Sequence, residues 1–117
     1  MRSFRLALHN ALKDDSNSLL VADLHDNIGF VLIQTGYLDR ALEQYLLALS
    51  IQEVKAPNSL DVARSYNNIG GVLNEKGDLD GATDQYQRAL AILVLKAPNS
   101  LEVAATYNNI GLVLKDK

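Results

Sequence analysis

The sequence has no cysteine, no tryptophan, two prolines and two histidines. Without cysteine there is no disulfide, no thiolate metal site and no cysteine nucleophile, and nothing points to an oxidising compartment. Long apolar runs are missing too. Arg2, Arg5, His9 and Lys13 interrupt the first fifteen residues, which rules out a signal-peptide core there and leaves too short a stretch to span a bilayer. No Asn-x-Ser/Thr glycosylation acceptor occurs. A soluble, cytoplasmic protein without a membrane partner is expected. Nucleic acid is disfavoured by a net charge of −3 and by scattered rather than clustered Lys and Arg. Catalytic constellations are lacking as well. His9 and His25 match no zinc-ligand spacing, and His25 beside Asp26 is no dyad, because neighbours on a helix point to different sides. The glycines do not form a strand-to-helix phosphate loop. No enzyme, cofactor or metal site is expected.

What the sequence does have is a repeat. The segment Lys55-Ala-Pro-Asn-Ser-Leu-Asp-Val-Ala63 returns as Lys96-Ala-Pro-Asn-Ser-Leu-Glu-Val-Ala104, a period of 41 residues. The same offset aligns Asn27-Ile28-Gly29 with Asn68-Ile69-Gly70 and Asn109-Ile110-Gly111, and Phe4 with Tyr45 and Tyr86. In this frame 1–17 is a partial copy, 18–58 and 59–99 are full copies and 100–117 is a second partial copy. A single array is expected, with the look of a piece cut from a longer one. Within a copy, apolar residues recur at helical spacing: Val62, Tyr66, Ile69 and Leu73, then Leu79, Ala82, Tyr86, Ala89 and Leu93.

Each copy is therefore two helices. Asn58 and Asn99 stand where a cap can accept from first-turn amides, Pro57 and Pro98 stop the preceding helix, and Asp78 can cap the next one. Gly36 and Gly77 suit the left-handed turn that closes a helix. Helices are predicted over 2–13, 18–35, 38–55, 59–76, 79–96 and 100–116, with no strand.

The residues Tyr66-x2-Ile69-Gly70-x2-Leu73 followed by Ala82-x3-Tyr86 resemble the tetratricopeptide repeat signature, with His25-x2-Ile28-Gly29-x2-Leu32, Ala41-x3-Tyr45 and Tyr107-x2-Ile110-Gly111-x2-Leu114 as further copies. The resemblance covers almost the whole chain. A glycine inside a helix costs about 1 kcal/mol against alanine, so its return at 29, 70 and 111 implies a packing reason, with Gly70 expected to face Ala82 at a helix crossing. The 41-residue period exceeds the family's usual spacing of about 34 by roughly two helical turns. Lengthened repeats with a paired Asn are similar to those of the kinesin light chain subgroup. His25 departs from the aromatic at the first signature position.

This resemblance implies an all-α, right-handed superhelical solenoid of antiparallel helix pairs, a scaffold for protein or peptide partners. It places the first helices along a concave groove and turns Asp26 and Asn27, Asn67 and Asn68, and Asn108 and Asn109 toward it. Around them the groove should hold Asp23, Phe30 and Ile33, then Arg64, Gly71, Asn74 and Glu75, then Ala105, Leu112 and Lys115. A carboxamide can pair with either backbone group of an extended peptide. The alternative is that one Asn of each pair bonds to a neighbouring helix or to water. Only Arg64 and Lys115 are placed to grip a carboxylate, which disfavours a clamp for C-terminal tails.

The aromatics at 4, 45, 66, 86 and 107 read as core, whereas Tyr37, at a turn, can be exposed. Leu46, Leu47, Leu93 and Val94 stand where the other full copy has polar residues, which signals either a local contact or a sticky patch. The competing functional reading is a self-assembling array. Tyr107, Ile110 and Leu114 lack a covering helix, and a homodimer through exposed end helices would satisfy them.

Overall fold

Turn chemistry sets the boundaries in the computed structural model, which describes residues 15–117, with side chains described from residue 19. The helices are α1 (Asp15–Gln34), α2 (Leu38–Lys55), α3 (Leu60–Glu75), α4 (Leu79–Lys96) and α5 (Leu101–Asp116), with no strand among the described residues. The helix predicted over 2–13 lies outside the described residues. α2 and α4 have the predicted bounds, while α1 begins three residues earlier than the sequence pattern places it.

The later starts of α3 and α5 correct the predicted caps. Ser59 and Ser100, not Asn58 and Asn99, are the capping residues, and their Oγ atoms accept from the amides of Val62 and Val103 at 3.3 Å. Asn58 takes φ 58° instead, a left-handed conformation that asparagine tolerates better than most side chains. Ala56 and Ala97, each before a proline, are driven to φ −148° and −149°, which ends α2 and α4.

The other turns form as the glycines and Asp78 imply. Gly36 and Gly77 have φ 87° and 89°. The amide of Tyr37 reaches back to Leu32 O at 2.8 Å and that of Gly36 to Ile33 O at 3.0 Å, and Asp78 and Gly77 repeat the pattern on Leu73 and Asn74. Asp78 Oδ1 accepts from the Gly81 amide at 2.9 Å and caps α4.

Each helix packs on its neighbours in sequence, α1 on α2, α2 on α3, α3 on α4 and α4 on α5, and the contacts within a hairpin are the more extensive. The result is an all-α solenoid of stacked hairpins. Its main core draws Tyr45, Leu49, Val62, Ile69 and Leu93 together, and a smaller one joins Ala82, Tyr86 and Val113. Exposed ion pairs recur along the stack, Lys76 with Asp39 and Lys117 with Asp80, each a weak contributor by itself. No helix among the described residues is long and apolar enough to cross a membrane.

The recurring glycine has a packing reason, and the atoms nearest to it belong to a tyrosine ring rather than to the expected Ala82. A Cβ on Gly70 would lie 2.6 Å from Tyr86 Cε1, and one on Gly29 would lie 2.8 Å from Tyr45 Cε1. Both tyrosines are 3% exposed. Glycine and tyrosine thus form one unit at each crossing, and Ala82 is buried one turn earlier on α4.

Two further expectations need correction. Tyr66 is half-buried with its hydroxyl donating to Glu53 Oε1 at 2.8 Å, and Tyr107 is 57% exposed rather than core, because no described helix covers that face of α5. Leu93 is fully buried, whereas Leu46, Leu47 and Val94 are exposed. Tyr37 is exposed, with the Arg40 guanidinium over its ring.

Candidate functional site

Residues four and seven apart share a face of a helix, so Asp23, Asn27 and Phe30 lie together on α1, and Arg64 and Asn68 repeat the first two positions on α3. These five line an open cleft of about 430 Å³ together with Asp26 and Tyr45. Of the residues expected in the groove, it gathers Asp23, Asp26, Asn27, Phe30, Arg64 and Asn68. Asn67, Asn108, Asn109, Leu112 and Lys115 are not among its walls. Asn109 is half-buried on α5, and Asn108, Leu112 and Lys115 are exposed there. Ile33 packs against the main core instead of facing the groove. The cleft is mixed in charge, with two carboxylates and the Arg64 guanidinium, which donates to Asp61 at 3.4 Å.

The two members of each pair behave differently, since adjacent helical residues point about 100° apart. The first members look toward the next hairpin. Gln52 Nε2 donates to Asp26 Oδ2 at 3.4 Å, and Ser65 Oγ donates to the Gln52 carbonyl, which links α1, α2 and α3. At the next junction Asn67 Nδ2 donates directly to Thr106 Oγ1 at 2.9 Å. Ser65 and Thr106 are one period apart, as are Gln52 and Leu93, and all four are buried. A polar relay at one junction is thus replaced by an apolar filler and a direct bond at the other. The second members, Asn27 and Asn68, are left to the cleft.

Two groups in this region were not marked as functional by the sequence pattern. Tyr45 reads as pure core, yet it also lines the cleft, and burial, followed by the negative charges of Asp26 and Glu75, pushes its hydroxyl up to about 12. The Gln52–Ser65 relay and the Asn67–Thr106 bond at the next junction had one visible signal, a hydroxyl residue recurring at 65 and 106 inside an apolar stripe. His25 donates from Nδ1 to Gln44 Oε1 at 2.7 Å, which satisfies the departure from the aromatic signature. No cluster of three His, Cys, Asp or Glu among the described residues could hold a metal ion.

Asp26, a half-buried carboxyl on the wall of the cleft, carries a titration penalty. Burial pushes its carboxyl up to about 6, the Gln52 bond opposes this, and the Asp23 charge adds to it. Its Oδ1 is buried without a partner. An acid that holds its proton more tightly when folded weakens the fold as it ionises, so stability falls from about pH 4 to about pH 6 and is then level. Asp26→Asn, which copies Asn67, is expected to stabilise the chain at pH 7 by about 1 kcal/mol after discounting for partial solvation. The gain should vanish below about pH 4. Urea melts at both pH values test this, and a loss of stability at pH 7 would mean that the carboxylate's bond to Gln52 outweighs its desolvation.

The geometry agrees with comparisons to known proteins. The tetratricopeptide repeat family model matches residues 20–93. No curated protein matches the sequence significantly. Among solved structures, BtubC (BKLC) from P. vanneervenii, a kinesin light chain-like tetratricopeptide fold, superposes with a TM-score of 0.81 at 27% identity. The match covers 96% of this chain and 46% of that one, so the chain spans less than half the length of BtubC. Repeats of this kind are non-catalytic scaffolds that mediate protein–protein interaction. With the Gly–Tyr packing unit in both described hairpins and a family match over more than half its length, the chain belongs to the tetratricopeptide repeat family.

Proposed function

We propose that the chain is a cytoplasmic interaction scaffold that holds an extended peptide along the concave face of α1, α3 and α5. The observation that carries this reading is the recurrence of Asn27 and Asn68 in one cleft, beside the exposed ring of Phe30, with Asn109 one period further on. A carboxamide offers a donor and an acceptor, so a row of them can bond the main chain of a peptide without reading its side chains. Phe30 and Arg64, which differ from their counterparts Gly71 and Asp23, supply the selectivity between rungs. Peptides selected from a random library against the chain are the direct probe. On titration, the side-chain amide resonances of Asn27 and Asn68 should move with the binding curve. Perturbations confined to α2 and α4 would contradict the proposal.

A further inference from the structure

The first rung of the groove differs in charge from those that follow. Asp23 and Asp26 both wall the cleft, whereas one 41-residue period later their positions hold Arg64 and Asn67, and after two periods Ala105 and Asn108. Asp23 is exposed and takes no hydrogen bond from another described residue. Asp26 has one oxygen bonded to Gln52, and its other oxygen is buried without a donor. Arg64 also borders the cleft, but its guanidinium donates to Asp61, which offsets its charge. Glu75 lies close enough to raise the Tyr45 hydroxyl, so the field across the cleft is negative. The Phe30 ring, 56% exposed, adds an aromatic face to the same wall.

We infer that the cleft receives an arginine side chain of the bound peptide, whose guanidinium pairs with Asp23 and Asp26 and lies against Phe30. The inference rests on the groove reading and adds to it the identity of one peptide residue. A guanidinium presents a planar fork of donors that two carboxylates can share, and it stacks on an aromatic face. A lysine ammonium, as a compact and strongly hydrated charge, does both less well. Because the acids occur only at the first rung, the arginine fixes the register of the peptide along the asparagine row. The pairing needs Asp26 ionised. The groups that face Asp26 are Asp23 on its own helix, Tyr45 and Gln52 from α2, and Asp61 and Arg64 from α3, while His25 bonds to Gln44 instead. Its carboxyl, pushed up to about 6 by burial, takes up a proton below that pH, so affinity falls from about pH 6 downward.

The test starts from peptides selected out of a random library against the 117-residue chain at about pH 7.5, where Asp26 is ionised. Arginine should be enriched at one fixed position among binders that move the Asn27 and Asn68 amide resonances. Exchanging it for citrulline, its neutral isostere, should weaken binding to the wild-type chain by at least about tenfold. On the Asp23→Asn/Asp26→Asn variant the same exchange should cost less than about threefold. That variant should keep its fold, since Asp23 is exposed and Asn67 already occupies the position equivalent to Asp26. Glu43→Gln/Glu102→Gln removes as many charges from exposed positions outside the cleft and should retain the full citrulline penalty. At about pH 5 the arginine peptide should bind the wild-type chain several-fold more weakly, and Asp26→Asn should remove that pH dependence. Binders that move the Asn27 and Asn68 resonances without enriched arginine would overturn the inference and leave the groove reading standing. So would a citrulline penalty that persists in the double aspartate variant, or one that the glutamate variant reduces equally, which would mark a general attraction to an acidic chain. Binders that leave both resonances unmoved would overturn the two readings together.

Discussion

Gly70→Leu is expected to destabilise the chain by about 3 kcal/mol and to lower its melting midpoint by about 10 °C. Even the first added carbon would sit 2.6 Å from Tyr86 Cε1 and 2.8 Å from Cδ1. The ring cannot swing clear, because Tyr86 is 3% exposed and packed with Ala82 and Val113. Either the ring leaves its pocket or α3 and α4 separate, and both open the junction to α5. Leucine's better helix propensity returns about 1 kcal/mol, less than the cost of overpacking. Gly111→Leu is the internal control: the same exchange at the same repeat position, with no atom in the way, should not lower the melt. Thermal melts followed by circular dichroism would decide, and a Gly70→Leu midpoint within about a degree of wild type would refute the crossing.

The 41-residue register, visible as Lys55–Ala63 and Lys96–Ala104, was enough to read the hairpins, the bounds of α2 and α4, and the glycine turns at 36 and 77. It could not choose between adjacent residues able to do the same job. Asn58 and Ser59 can both cap a helix, and the serine takes the role because the Pro57-Asn58 turn uses the left-handed tolerance of asparagine. Asp26 and Asn27 both border the cleft, yet which of them also bonds into the helix packing depends on how α1 crosses α2. That crossing rests on the Gly29–Tyr45 contact, a meeting of residues sixteen apart that no local pattern displays. The same contact explains why Tyr45 both fills the core and borders the cleft.

The second large effect concerns the groove. Replacing Asn27, Asn68 and Asn109 together with alanine removes the three carboxamides of the proposed peptide row, and alanine is the better helix former, so the fold should persist. At roughly 1 kcal/mol for each lost hydrogen bond, affinity for a selected peptide should fall on the order of a hundredfold. Asn67→Ala, one residue from Asn68, should behave in the opposite way. It breaks the 2.9 Å bond to Thr106 between α3 and α5, and should cost about 1 kcal/mol of stability while leaving affinity unchanged. The decisive measurement is calorimetric titration of one selected peptide into the wild-type chain, the triple alanine variant and Asn67→Ala, with a melt of each. The account predicts a hundredfold loss in the triple variant with an unshifted melt, and an unshifted affinity in Asn67→Ala with a lowered one. A triple variant that keeps both its fold and its affinity would contradict it, and would make the asparagine row structural.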